Sequence, residues 1–358
     1  MTSMQSGDAT AQAEFEPGIR ARVAESIRGA LWRAYTGENS GALILVMIVV
    51  IAIFAVQLQE TTYFSTTNFL NIVRTTAGIT VMAVATVFVI SSGEIDLSIA
   101  AVVPVAAFIA ALMLPTYGPA LASLAALGFG AGVGLLNGFI TVRFRIPSFV
   151  VTLGMLSVLN GLSLRITGVI SVPVRDPAYV AVFGAGSVGP FPVLLLWSLG
   201  AVVLGYVILA RTPIGRAVLA TGANVNAARF SGIRTDRIKV GALVVSGLSG
   251  ALAGMLYNAQ FGAASYTLGT SDLLTVIAAV IIGGTALAGG KGSVIGALVG
   301  SLLIGTLNNG LVIIGLANPE QLMARGAIII AAVMFSARTR TRRGAAAGKI
   351  GPINLRRE

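Results

Sequence analysis

Cysteine and histidine are both absent from this chain of 358 residues. Without cysteine there is no disulfide, no thiol nucleophile and no thiolate metal site. Without histidine the usual general base and the commonest metal ligand are gone. Charge is scarce as well: 10% of residues are Asp, Glu, Lys or Arg, against roughly 25% in a soluble protein. Acids are the scarcer sign, 13 against 24 basic residues. Apolar residues take the remaining room, 56% of the chain, with a mean hydropathy of +0.90. This composition specifies an all-α polytopic membrane protein with one membrane domain. The 44 glycines fit that class, because helices packing in lipid use small residues to bring backbones close.

Charge-free runs cover 39–59, 75–93, 97–142, 146–164, 177–210, 240–271, 273–290, 292–319 and 326–337. A spanning helix needs about 20 residues. The run 97–142 holds two, with Pro115-Thr-Tyr-Gly-Pro119 as the hairpin between them. The predicted spans are 41–58, 68–92, 98–114, 119–142, 147–167, 191–210, 240–260, 271–289, 293–314 and 320–337, ten in all. They divide the chain into a cytoplasmic N-terminal tail (1–38), a ten-helix membrane domain (39–337) and a basic cytoplasmic C-terminal tail (338–358). No apolar stretch precedes residue 41, so no cleavable signal peptide is expected. A modest amphipathic helix near 19–35 suits the inner membrane surface, and the basic tails suit its anionic lipids. With both termini inside, all but Arg74, Arg165, Arg175 and Arg325 of the 24 basic residues face the cytoplasm. This distribution explains the net charge of +11 without nucleic acid as a partner.

Shifting the chain by 172 positions lays Gly118 on Gly290, Gly128 on Gly300, Asn137 on Asn309, Gly138 on Gly310, Pro147 on Pro319 and Gly154 on Gly326. With ten spans the two copies have opposite orientation, as two inverted five-helix repeats. Inverted repeats are a transporter signature, because two pseudo-symmetric halves can exchange inward and outward states.

No catalytic constellation is present, and no metal ligands cluster. GGTALAGGKGS (283–293) resembles a phosphate-binding loop, but Thr285 stands where its first glycine belongs and Gly292 replaces the Ser or Thr after the lysine. SGEIDLS (92–98) sets Glu94, Asp96 and Ser98 at a helix junction. Capping of the next helix, an ion or proton role, and contact with a partner or substrate all remain open for these acids. The long polar insertion Arg211–Lys239 has six basic residues against Asp236. Asn224–Phe230 reads as a short helix inside it, between turns at Thr221-Gly222 and Ser231-Gly232. A connecting loop obeying the positive-inside rule would carry such charge, but would not need this compact patch of small, helix-forming residues.

Three stretches together resemble the permease subunit of bacterial ABC importers for monosaccharides, of the ribose, xylose and arabinose branch. They are SGEIDLSIAA (92–101), the loop 211–240 and AAVIIGGTALAGGKGSVIGALVGSLLIGTLNNGLVIIG (278–315). The resemblance covers about residues 41–337 and implies the larger ten-helix importer fold in the bacterial inner membrane. It implies a homodimer, a cytoplasmic ATPase pair that binds ATP and Mg, and an extracytoplasmic sugar-binding protein. No cofactor is then held by this chain, and the permease hydrolyses nothing itself. Gly222, Asn224, Ala227, Ala228 and Gly232 would form the ATPase-docking element. Gly289, Gly290 and Lys291 match a family hallmark of underived role. Rival readings are a branched-chain amino-acid permease, which would want counter-charges for a zwitterion, an ion-coupled secondary transporter, and a purely structural membrane protein.

Related importers line their pathway largely with the fifth and tenth spans. In the fifth, Ser148, Thr152, Asn160 and Ser163 fall at about 0°, 40°, 120° and 60° around a helix. In the tenth, Gln321 and Arg325 are one turn apart, with Arg325 as an interfacial anchor. This polar stripe offers donors and acceptors to a neutral sugar. The alternative is that the hydroxyls bond back to their own helix and small residues aid packing.

Overall fold

The computed structural model describes Phe54 and residues 62–317, 319–323, 326, 327 and 330. The predicted tails, span 41–58 apart from Phe54, and most of span 320–337 lie outside the described residues. A short 3-10 turn, Thr62–Phe64, leads into α1 (Thr66–Ser91), which Ser65 caps by accepting a hydrogen bond from the Asn68 amide. Valine, alanine, threonine and glycine surround α1, and from Thr76 onward every residue to Ser91 is buried. A helix apolar all round belongs at the centre of a bundle.

The second helix, α2 (Ile99–Phe144), has 46 residues. As a straight rod it would measure about 70 Å, more than twice the ~30 Å hydrocarbon layer. It folds back instead at Gly118, where φ is 73° and ψ 173°, a conformation open essentially to glycine alone. Pro115 and Pro119 flank the bend, and this is the hairpin expected from the sequence. Packing against α8 (Thr235–Phe261) shows the reversal. In the first limb Ile99 approaches Gly250, Val103 approaches Gly254, and the Ala107 carbonyl accepts from Asn258, so numbers rise together. In the second limb Gly130 meets Gly247, Gly134 meets Leu243 and Gly138 meets Val240, so they run in opposition. A Cβ on Gly247 would lie 2.0 Å from the Gly130 carbonyl oxygen. This crossing is backbone on backbone, as small residues permit.

The remaining helices are α3 (Ser148–Thr167), α4 (Pro177–Phe183), α5 (Val193–Arg211), α6 (Pro213–Ala223), α7 (Val225–Phe230), α9 (Asp272–Ile282) and α10 (Val294–Ile313). Two small antiparallel pairs join β1 (Val172–Pro173) to β4 (Ala263–Ala264) and β2 (Ser187–Val188) to β3 (Phe191–Pro192). Among the described residues, α1, α2, α3, α5, α8 and α10 are long and apolar enough to cross a membrane. The centre of the bundle is α1, the first limb of α2, and α8, with Phe108, Met255 and Leu256 in one core cluster and Met82, Val87 and Ile99 in the next. On α3 and α5 only one narrow face is buried, which leaves leucine, valine and phenylalanine outward.

One expected span is shorter than predicted. The stretch 271–289 holds only the 11-residue α9, about half a membrane crossing. It stops at Gly283, whose missing side chain lets the backbone touch Gly296, and Gly284 turns the chain with φ 93°. Hydropathy alone carries through these two glycines, but the helix does not.

Candidate functional site

The basic insertion forms two short helices. Thr212 caps α6, its hydroxyl accepting from the Gly215 amide at 3.3 Å and donating to the Ile208 carbonyl at 2.6 Å. Asn224 ends α6 and caps α7, accepting from the Ala227 amide at 3.0 Å. Gly232, with φ 83°, turns the chain towards α8. Arg229 closes this turn: its Nε donates to the Thr235 hydroxyl at 2.8 Å and its guanidinium pairs with Asp236. The pair is half exposed, so it fixes geometry more than it adds stability.

The two alanines expected to face a partner together are divided by this fold. Ala227 is exposed, whereas Ala228 is buried within its own chain, since successive residues of α7 point to different sides. The residue most open to a partner is Phe230, 93% exposed at the end of α7. The sequence reading did not single it out, although it is the only aromatic in the insertion.

Behind α7 the three singled-out motifs meet. Ser91, at the end of α1, accepts a hydrogen bond through its carbonyl from the Gly290 amide at 3.0 Å. Gly222 lies against both: a Cβ there would fall 1.9 Å from the Ser91 oxygen and 2.6 Å from the Gly290 nitrogen. Gly289 and Gly290, with φ of 82° and 76°, press on the backbone of Gly222 and Ala223. Gly292 leaves room for the Ser91 hydroxyl, and the Lys291 carbonyl accepts from the Ala286 amide at 3.0 Å. The glycine hallmark is thus a turn shaped to receive the end of α6.

A second link runs through charge. Lys239, in the first turns of α8, pairs with the buried Glu94 at 2.5 Å. Glu94 therefore ties the segment 92–98 to the base of the insertion. Lys239→Met should leave a buried carboxylate without its partner and cost about 3 kcal/mol. The expected result is a lowered thermal midpoint of the purified protein, most of it restored in the Glu94→Gln, Lys239→Met double variant.

The same segment reaches α3. Ser148 Oγ accepts from the Ile95 amide at 3.0 Å, and Thr152 Oγ1 accepts from the Leu97 amide at 3.1 Å. Both residues are buried. Ser163 is buried too, its hydroxyl donating to the Asn160 carbonyl at 2.9 Å. Three of the four stripe residues therefore face protein within this chain, on the side of α3 that also carries the buried Leu159. Asn160 lies on the exposed side. Gln321 donates to the Leu316 carbonyl at 2.7 Å, just beyond α10. Asp96 accepts from the amide and hydroxyl of Ser98, at 2.8 and 2.6 Å, at the start of α2. Burial pushes its carboxyl above the ordinary range, against these hydrogen bonds and the neighbouring Ser246.

The packing gathers Arg143, Arg145, the insertion and Lys291 at one end of the bundle, called the basic end below, because Gly138 meets Val240, Ser148 meets Ile95 and Gly290 meets Ala223. Arg165 closes α3 at the other end.

Residues 68–333 match the family described as the branched-chain amino acid transport system permease component. The ribose import permease protein of Escherichia coli K12 is 35% identical over 298 residues, 81% of this chain and 91% of that protein. The Bacillus subtilis ribose import permease protein is 35% identical over 301 residues, 84% of this chain and 91% of that protein. The xylose/arabinose import permease protein of Sulfolobus acidocaldarius is 34% identical over 296 residues, 80% of this chain and 82% of that protein. No solved structure matches. A membrane-type helical bundle matched over about four fifths of its length by such proteins has one reading: the chain belongs to this family of ABC importer permeases.

Proposed function

We propose that the chain is the membrane-spanning subunit of an ATP-driven importer for a monosaccharide or related polyol. It works as a homodimer of ten-span protomers, each built from two inverted five-helix halves, with both termini on the cytoplasmic side of the inner membrane. A separate ATPase binds ATP and Mg and supplies the energy, and an extracytoplasmic binding protein supplies the sugar. The relatives named for ribose and for xylose and arabinose support a sugar over a branched-chain amino acid. The observation that carries the mechanism is the meeting of Gly222, Ser91 and Gly290 behind an exposed α7.

A partner moving α6 and α7 acts on three elements at once. The glycine junction passes the movement to the end of α1 and to the turn before α10. Lys239 and Glu94 pass it to the segment 92–98, and Ser148 and Thr152 carry it on to α3. Such tight backbone contacts shift as rigid bodies, because none of them has a flexible side chain to absorb the displacement. The sugar pathway runs along the Asn160 side of α3, between the two protomers, with Gln321 of the last span on its border. Ser148, Thr152 and Ser163 border it from behind and set the position of α3. Gly289, Gly290 and Lys291 belong to the junction and not to a phosphate cradle, since the Gly290 amide is spent on Ser91.

The test is reconstitution in liposomes with labelled ribose, xylose, arabinose and leucine. Concentrative uptake of a pentose should require this chain, the ATPase, the binding protein and ATP together. Uptake by the chain alone on an ion gradient, or uptake of leucine only, would overturn the proposal.

A further inference from the structure

Below the glycine junction lies a group of buried oxygen atoms that the coupling scheme does not use. Asn137 Oδ1 and Thr141 Oγ1 are buried without a hydrogen-bond partner among the described residues, and Asp96 Oδ2 and Ser246 Oγ are buried facing one another with no further partner. They belong together. The Ser98 hydroxyl donates to Asp96 Oδ1 at 2.6 Å and accepts from Asn137 Nδ2 at 2.9 Å. Ser246, on α8, neighbours the Asp96 carboxylate. Thr141 follows Asn137 by one helical turn, on the same face of α2. Asn137 and Ser246 are fully buried, and Asp96 is 6% exposed. Native interiors leave few such atoms unsatisfied, and each calls for a cause.

The charge balance shows what is missing. Of the two acids in the segment 92–98, Glu94 has Lys239. Asp96 has no basic partner among the described residues, only the amide end of α2 and the Ser98 hydroxyl. We propose that Asp96, Asn137 and Ser246, with Thr141 beside them, bind a monovalent alkali cation that holds the segment 92–98 between α2 and α8. A carboxylate, an amide oxygen and hydroxyls are hard oxygen donors suited to such an ion. One carboxylate balances one positive charge, so the occupied site is neutral. A divalent ion would leave a net charge buried in a dry interior, which is costly.

The experiment uses the purified full chain in detergent and follows its thermal midpoint. Sodium chloride and potassium chloride are each titrated against N-methylglucamine chloride at constant ionic strength. The expected result is a saturable rise of about 3 °C or more with at least one alkali cation. The arm that saturates first identifies the ion. Asp96→Asn should abolish the rise, and Asn137→Ala and Ser246→Ala should each raise the half-saturating concentration about 10-fold. Gly241→Ala, on α8 where an added Cβ meets nothing within 4 Å, should keep the wild-type half-saturation. A wild-type midpoint indifferent to both cations, as a water-filled or protonated cluster would give, overturns the proposal. So does an unchanged half-saturation in Asn137→Ala, which decides the matter if Asp96→Asn does not fold.

Discussion

Gly222→Val is expected to abolish most ATP-driven uptake while the protein still inserts in the membrane and purifies at normal yield. The first added carbon would lie 1.9 Å from the Ser91 carbonyl oxygen, and the next backbone atom, the Gly290 nitrogen, is 2.6 Å away. Neither is the tip of a flexible side chain, so α6 must retreat from the ends of α1 and of the turn before α10. Overpacking of this kind costs about 1–3 kcal/mol. Charged against the engaged state of the junction, this lowers uptake by about 10- to 100-fold. Gly241→Ala is the control, since a Cβ at Gly241 meets nothing within 4 Å. Sugar-stimulated ATP hydrolysis should fall with uptake in Gly222→Val and stay unchanged in Gly241→Ala.

Phe230→Ala should act on a different step. The ring is 93% exposed in the isolated chain, the only aromatic of an insertion with six basic residues. An aromatic seated in a partner's pocket is a typical hot spot, and its truncation costs at least ~2 kcal/mol. That corresponds to about a 30-fold or greater loss of affinity for the ATPase. Because the ring packs on little of its own chain, the thermal midpoint of the permease alone should not move. Ala228→Trp should behave in the opposite way. Ala228 is buried, so the larger ring would disturb the packing of α7 and lower that midpoint before any partner is added. Affinity measured with the purified ATPase separates the two outcomes.

Much of this molecule was legible in its sequence, for reasons that differ from element to element. The places of α3, α5 and α10 follow from charge-free runs, because the middle of a membrane span excludes charge, whereas α1 begins before its run and carries Arg74 inside it. The bend at Gly118 was legible because two prolines and a glycine leave a helix no straight course. The short α9 was not, since hydropathy does not register the helix-breaking Gly283 and Gly284. The roles of Ser148 and Thr152 were hidden for another reason. Periodicity tells which side chains share a face of α3, but not what that face meets. A hydroxyl stripe awaiting a sugar and one bonded to the Ile95 and Leu97 amides have the same spacing. The Gly222 and Gly290 contact lies beyond any local signal, since 68 positions separate the two residues along the chain. The motifs were visible singly, and only the fold brings them together. Phe230 was within reach, as a lone aromatic in a basic insertion.

The central claim, that an ATPase docks on the basic end of the bundle, can be tested directly by site-specific crosslinking. The chain has no cysteine, so a single Ala227→Cys variant carries one thiol, on an exposed and small position of α7. Coupled to a maleimide photocrosslinker in the assembled transporter, it should label the ATPase in high yield. The same reagent on Tyr117→Cys, exposed at the bend of α2 on the opposite end, should label no ATPase. Labelling of the ATPase from position 117 and not from 227 would contradict the account.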